Sequence, residues 1–338
     1  MRSHDAGSVR RSLLGRAAAL CLTVAVGTGC GDDGPGGGGG GGGGGVTGTW
    51  AVVPAGANQG LTGVWGTGAD NVYAIGSTVI RRFNGTAWVA GPDLGLTVEG
   101  MNGPAVAFNL TAIGGVEAGS FFAAGTTQPE DGSMDVGVNR ILRVQGARSA
   151  GTMPAQGVVI RAIWGRAPDD IWAVGADMAL HWNGSTWQRR ATGIVPGSDL
   201  YSVWGTSADN VYAAGQRVYR WDGTTWAPIE FPGSVYYFGV SGTGPNDVWL
   251  VGNSAARHWN GTAWERVLTG TTEPLNAVWA VAPNDVWAVG NGGIIVHWNG
   301  TAFTTVPSNT TATLRALWGS AANNLWAVGD NGVALRYR

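Results

Sequence analysis

Three of the four histidines in this chain sit in almost the same seven-residue string. His181 opens HWNGSTW (181–187), His258 opens HWNGTAW (258–264) and His297 opens HWNGTAF (297–303). RWDGTTW (220–226) is a further copy with Arg220 in place of His. Imidazoles suggest a metal, paired aromatics a sugar-stacking surface, NGT and NGS a glycan, and the repetition itself plain packing. The acids are as periodic: Asp70, Asp169, Asp170, Asp209, Asp247 and Asp285 each precede a similar apolar run. Outside the pattern lie EDGSMD (130–135), with Glu130, Asp131 and Asp135, and the only two cysteines, Cys21 and Cys30.

Spacing decides among these chemistries. Three imidazoles at one repeat position lie on three different units and cannot converge on one ion, as a zinc site requires. The other units hold Arg82, Arg143, Arg220 and Arg336 at that position, so the recurring property is a hydrogen-bond donor. An acceptor recurs with it: Asn71, Ser120, Asp170, Asn210, Asp247, Asp285 and Asn324. Hairpin pairing would set Trp287 opposite His297 with Asp285 diagonal on the same face, so a structural cross-strand contact is predicted. The periodic acids read as turn and capping groups rather than general acids or bases. In EDGSMD, carboxylates four residues apart around a glycine offer oxygens to a hard cation such as Ca²⁺, but the spacing of an EF-hand is missing. The reading is a solvated acidic rim, with no metal and no cofactor. With no Lys among the 20 basic residues, Walker-type phosphate binding and Schiff-base chemistry lose their key residue. No G-x-S-x-G, HExxH or paired-cysteine motif is present, and no enzyme is predicted. A formal net charge of −2 gives no pull toward nucleic acid.

The elements that must position these residues repeat seven times. VWGTGADNVYAIG (64–76) recurs at 163–175, 203–215, 240–252, 278–290 and 317–329, with a degenerate copy, IGGVEAGSFFAAG, at 113–125. In each unit a short run ending near WG is followed by a polar loop and then by a run such as DVWAVG. That second run is apolar at consecutive positions, as expected of a strand buried on both sides. A short turn, a third run, Asn-Gly and a fourth run follow. Asn-Gly predicts a tight type I′ hairpin, whose two central residues both need positive φ. Four short antiparallel strands per unit of about 40 residues is the signature of a β-propeller. The last unit ends at VALRYR (333–338) one strand short, and VTGTWAVVPAG (46–56) reads as the missing strand. An all-β, seven-bladed propeller over 46–338 is predicted, its last blade closed by the N-terminal strand. All 18 Trp fall at four recurrent positions, which points to packing between blades.

The segment before the repeats reads as an address. Arg10, Arg11 and Arg16 precede AAALCLTVAV (17–26), too short to span a bilayer as a mature helix. GTGC then resembles a bacterial lipoprotein signal in which Cys30 is lipidated, although Gly27 stands where an aliphatic is usual. The alternative is an ordinary cleavage site with Cys30 as bystander. Arg10-Arg11 with Ser12-Leu13-Leu14 also resembles a twin-arginine export signal. Residues 31–45, ten of them consecutive glycines from Gly36, read as a flexible linker.

The repeats resemble those of tectonin-type lectins, photosystem-assembly-factor-like propellers and, in degenerate form, the Asp-box repeats of sialidases. Only RWDGTTW keeps the Asp of an Asp-box, and Arg220 replaces its Ser. The tectonin resemblance implies binding of bacterial surface sugars; the Asp-box resemblance implies a glycoside hydrolase.

Irregularity then points to the binding face. In an up-and-down meander, connections between blades and between second and third strands share one face. The extra residues at 90–110 and 126–139 both fall there, and long loops on a rigid scaffold are where binding concentrates. Glu130, Asp131 and Asp135 are the candidate binding loop. The expectation is a monomeric, non-catalytic binding scaffold of the bacterial cell envelope, membrane-tethered through Cys30, whose partner is a protein or glycan on one propeller face. A lectin and a glycoside hydrolase are the alternatives.

Overall fold

A run such as DIWAVG has no polar face, so it is stable only where both sides of the strand are covered. In the computed structural model all six residues of Asp170–Gly175 are buried, as are those of Asn210–Gly215, Asp247–Gly252 and Asn324–Gly329. The structure describes residues 48–92, 107–128, 139–145, 148–155, 159–233, 235–253 and 255–338. Cys30, the glycine tract, Glu130, Asp131 and Asp135 lie outside the described residues.

Seven four-stranded antiparallel sheets are formed. The third blade is representative: Ile160–Ala167, Asp170–Gly175, Met178–Trp182 and Trp187–Arg189, called strands a to d. The a strands touch their neighbours in sequence, and Leu314–Ala321 returns to Leu61–Gly68, so they form a closed ring around a central channel. The last blade takes its outer strand from Trp50–Val52, which pairs antiparallel with Ala334–Tyr337 in the register Trp50 opposite Tyr337. Closure by the N-terminal strand removes an open sheet edge.

The tryptophans join blades in two layers. In the inner layer, the ring of a WG tryptophan lies over the WG-position glycine of the next blade. A Cβ on Gly66 would come within 2.8 Å of the Trp318 ring, and one on Gly242 within 2.6 Å of the Trp204 ring. Here the glycine is required by a close approach rather than by its own backbone angle. In the outer layer, the strand-b ring of one blade meets two aromatics of the next. Trp172 lies 5.4 Å from Trp221 and 5.5 Å from Trp226, which are themselves 5.6 Å apart.

The Asn-Gly turns differ from expectation. Gly85, Gly184, Gly223, Gly261 and Gly300 have φ between 92° and 98°, but the residue before each does not have positive φ, so these are not type I′ turns. The connection is four residues long, as between Trp182 and Trp187, a paired set. The asparagine side chain organises it: Asn260 Oδ1 accepts the N–H groups of Thr262 and Ala263 at 3.0 Å each and the Thr262 hydroxyl at 2.7 Å. The motif needs an acceptor, and Asp222 serves equally, its carboxylate held at about 2 by the N–H of Thr225 and the hydroxyl and N–H of Thr224. The Ser or Thr of each NGT or NGS string is thereby a turn residue.

Candidate functional site

The periodic donors and acceptors meet as pairs inside each blade. His181 Nε2 lies 2.9 Å from Asp170 Oδ1, His258 Nε2 2.7 Å from Asp247 Oδ1 and His297 Nε2 2.8 Å from Asp285 Oδ1. The same carboxylate oxygens accept the indole N–H of Trp172, Trp249 and Trp287. Where the donor is Arg the acceptor is neutral: Arg82 donates to Asn71 at 2.8 Å, Arg220 to Asn210 at 2.6 Å, Arg336 to Asn324 at 2.9 Å and Arg143 to Ser120 at 3.4 Å. Three of the four strand-b tryptophans stand in His–Asp blades and donate to the carboxylate; the fourth, Trp326, stands beside Arg336 and Asn324, and its indole N–H has no hydrogen-bond partner. Burial pushes the Asp170 carboxyl up, but hydrogen bonds from His181 and Arg166 outweigh it and leave the group below its ordinary value. Asp247 behaves alike, with His258 and Thr243 as donors. These are structural nodes, one per blade. Among the described residues no three His, Cys, Asp or Glu side chains gather as a metal cage.

One position escapes the repeat. The strand-a position that Arg161 holds in the third blade reads Thr62, Thr111, Arg161, Tyr201, Phe238, Asn276 and Arg315 around the ring. In all seven blades the a–b register skips at this residue, for example between Ile160 and Ala162. A bulge leaves its extra residue unpaired and re-aims the side chain. All seven residues line the central channel, a cavity of about 520 Å³.

These side chains form an asymmetric rim at one mouth. Tyr201 and Phe238 stack edge to face with ring centres 5.4 Å apart, and the Arg161 guanidinium lies 5.2 Å above the Tyr201 ring. Arg161 also pairs with Asp199 at 3.2 Å. Burial, with the neighbouring Asp199 carboxylate second, holds the Tyr201 hydroxyl above its ordinary pKa. Across the channel Arg315 makes a two-pronged pair with Asp330, and Asn276 donates to Asn291 at 3.0 Å and to the Leu314 carbonyl at 2.9 Å. Arg161 and Arg315 remain exposed, and Tyr201, Phe238 and Asn276 half-buried.

The rim partners Asp199, Asn291 and Asp330 belong to interblade and b–c connections, so this mouth opens on the face the long loops were predicted to share. The second blade supports that placement. Its strands Ala107–Glu117 and Ser120–Gln128 are 11 and 9 residues long, against 8 and 6 in the third blade. The added pairs, from Ala107 opposite Gln128 to Asn109 opposite Thr126, extend the hairpin at this face by about 10 Å. The predicted acids begin two residues after Gln128 in sequence, at Glu130. Sequence reasoning missed the rim; its signal was a variable position inside an otherwise regular repeat.

A closed ring of seven blades with one irregular mouth defines the chain as a seven-bladed β-propeller. No family model matches it, and no curated protein matches it by sequence. Solved structures do. YCF48 from Cyanidioschyzon merolae is 14% identical, with a TM-score of 0.65 over 86% of this chain and 99% of that one. A structure of YCF48 bound to D1 peptide is 13% identical, with a TM-score of 0.64 over 85% and 96%. Virginiamycin B lyase from Staphylococcus aureus is 11% identical, with a TM-score of 0.66 over 86% and 99%. At such identities the likeness shows the fold.

Proposed function

We propose that this chain is a non-catalytic binding scaffold that holds a polypeptide segment at the irregular mouth of its channel. The observation that carries the reading is the bulged ring, above all Arg161, Tyr201, Phe238, Asn276 and Arg315. Its residue types vary where every neighbouring position repeats, and packing alone asks for no such variation. Arg161 and Arg315, on opposite sides of an aromatic pair, are each held by one aspartate. Both keep exposed N–H groups that suit a segment bearing carboxylates, and the side-chain oxygen of Asn276 suits a peptide N–H. A propeller of this fold, YCF48, has been solved bound to D1 peptide, which supports a polypeptide ligand. The loop carrying Glu130, Asp131 and Asp135 belongs to the same reading as an acidic outer rim. The chain is further proposed to be exported and tethered to the bacterial envelope through lipidated Cys30, with residues 31–45 as spacer.

The test is a peptide array rich in Asp, Glu and C-terminal carboxylates, probed with the wild-type chain and an Arg161→Ala, Arg315→Ala double variant. The reading requires at least a tenfold loss of affinity with an unchanged melting temperature, and a milder loss when 128–136 is replaced by a Gly-Ser link. Binding that survives both changes and fails instead on altering Asp169 and Asp209, in the a–b turns, would place recognition on the other face. Loss of acyl labelling in Cys30→Ser tests the anchor.

A further inference from the structure

The b–c turns differ in length around the ring. Five residues join Val289 to Ile295 in the sixth blade and Val328 to Ala334 in the seventh. Four join Ile75 to Ile80, Val174 to Ala179 and Val251 to Ala256. In the fourth blade three residues, 215–217, join Ala214 to Val218. In the longest of these turns a glycine lies hard against the next interblade connection. A Cβ on Gly293 would come within 2.0 Å of the Thr310 carbonyl oxygen, and one on Gly332 within 1.9 Å of that of Ala57. The fourth blade has no residue to spare for this, and a cleft of about 330 Å³ lies between its turn and the connection that follows.

The floor of the cleft is Val218 and Tyr237, both buried, and Ile229, Phe231 and Val235 are half-buried walls. Arg257 lies 4.7 Å over the Phe231 ring and donates to the Tyr237 hydroxyl at 3.2 Å, which fixes that side. The lip carries the Arg217–Glu230 pair at 3.3 Å, exposed on both sides and therefore a weak closure. The cleft is continuous with the mouth. Gln216, on its edge, donates its backbone N–H to the Asp199 carbonyl, and the Asp199 carboxylate holds Arg161. Tyr236 lines the cleft and stands beside Tyr201: after burial and Asp199, it helps to hold the Tyr201 hydroxyl above its ordinary pKa. Among the described residues, Val195, Tyr236 and Leu268 are exposed large hydrophobics in three consecutive interblade connections, with the cleft at the middle one.

We propose that this cleft receives one large apolar side chain, leucine or phenylalanine, of the polypeptide segment held at the mouth; the proposal rests on that reading and adds a specificity position to it. An apolar side chain displaces water from an apolar floor, and a volume at the small end of ligand sites suits a single residue. The segment leaves Arg161 across Tyr201 and Phe238 and reaches Tyr236 within about two to six residues, at about 3.3 Å each.

Fluorescence anisotropy on the full chain tests this with labelled Gly-Ser peptides that carry an Asp-Asp pair and one guest residue two to six positions to either side. At one spacing, a Leu or Phe guest should bind at least tenfold tighter than Ser. Val235→Asp should remove that preference and leave the affinity of the Ser peptide unchanged. Replacing residues 216–217 by Asn-Gly-Gly-Ile, the sequence of 291–294, should fill the cleft and do the same, which keeps the test valid if either variant folds poorly. Arg161→Ala with Arg315→Ala should instead weaken every peptide alike and preserve the ratio. Peptides that bind without a guest preference, or a preference that survives both cleft variants, overturn the proposal and leave the mouth standing. If no peptide binds, the mouth reading fails and the proposal with it. A dimer in sedimentation that Val235→Asp dissociates would give the cleft to a second copy of the chain and also overturn it.

Discussion

Trp50→Ala probes the closure of the ring at its single non-covalent seam. Trp50 is 2% exposed and lies 5.7 Å from Trp287 and 5.5 Å from Tyr337, so it belongs to the triangle that joins the last two blades. Truncating a buried aromatic to alanine costs about 3–5 kcal/mol, because the cavity left behind collapses only partly. The three-residue strand has few other ties: Ala51 and Val52 are exposed, and its remaining hold is the ladder to Ala334–Tyr337. For a domain of this size about 1 kcal/mol corresponds to about 2–4 °C, so a fall in melting temperature of about 6–20 °C is expected. Val52, on the same strand and 55% exposed, is the control. Val52→Ala should stay within about 0.5 kcal/mol of wild type. Thermal unfolding followed by tryptophan fluorescence and by circular dichroism measures both. A Trp50→Ala protein that melts within a degree or two of wild type, or a Val52→Ala protein that melts as low as Trp50→Ala, would refute closure by this strand as a stabilising element.

Two further predictions concern the repeated nodes. The folded-state pKa values of Asp170 and Asp247 lie below the ordinary 3.8, so the stability they contribute is fully present above that value and is lost as pH falls through the lower folded values. Urea midpoints measured down to about pH 2.5 should fall steeply below about pH 4, and the slope should be shallower in an Asp170→Asn, Asp247→Asn double variant; equal slopes would contradict the assignment. In the inner layer, a Cβ on Gly242 would lie 2.3 Å from the Asp247 carbonyl oxygen and 2.6 Å from the Trp204 ring, whereas one on Gly244 meets nothing within 4 Å. Gly242→Ala should therefore lose about 1–3 kcal/mol and Gly244→Ala almost nothing, and matched chemical denaturation of the two checks it.

What was legible in the sequence was whatever repeats locally. The apolar runs at 170–175 or 285–290 carry their own evidence of two-sided burial, and seven of them imply seven sheets. The donor series at His297 and the acceptor series at Asp285 lie twelve residues apart on one hairpin, so pairing geometry alone brought them together. The missing fourth strand was visible because every other unit has one. The Asn-Gly turns were misread because the dipeptide was weighed without its loop length. A four-residue connection lets Asn260 keep negative φ and spend its side chain on the turn amides. Two features needed the tertiary structure. Nothing local marks Arg161 and Arg315 as neighbours of one opening; a bulge and the closed ring of a strands aim both into it. Nor does Tyr212 announce what covers it. Its ring is 4% exposed, with Trp204 of its own blade stacked 6.5 Å away and Trp264 of the next blade at 6.2 Å. Periodic hydrogen bonding and burial are properties of a segment, but which segments meet across a joint or around a mouth is decided only by their placement in space.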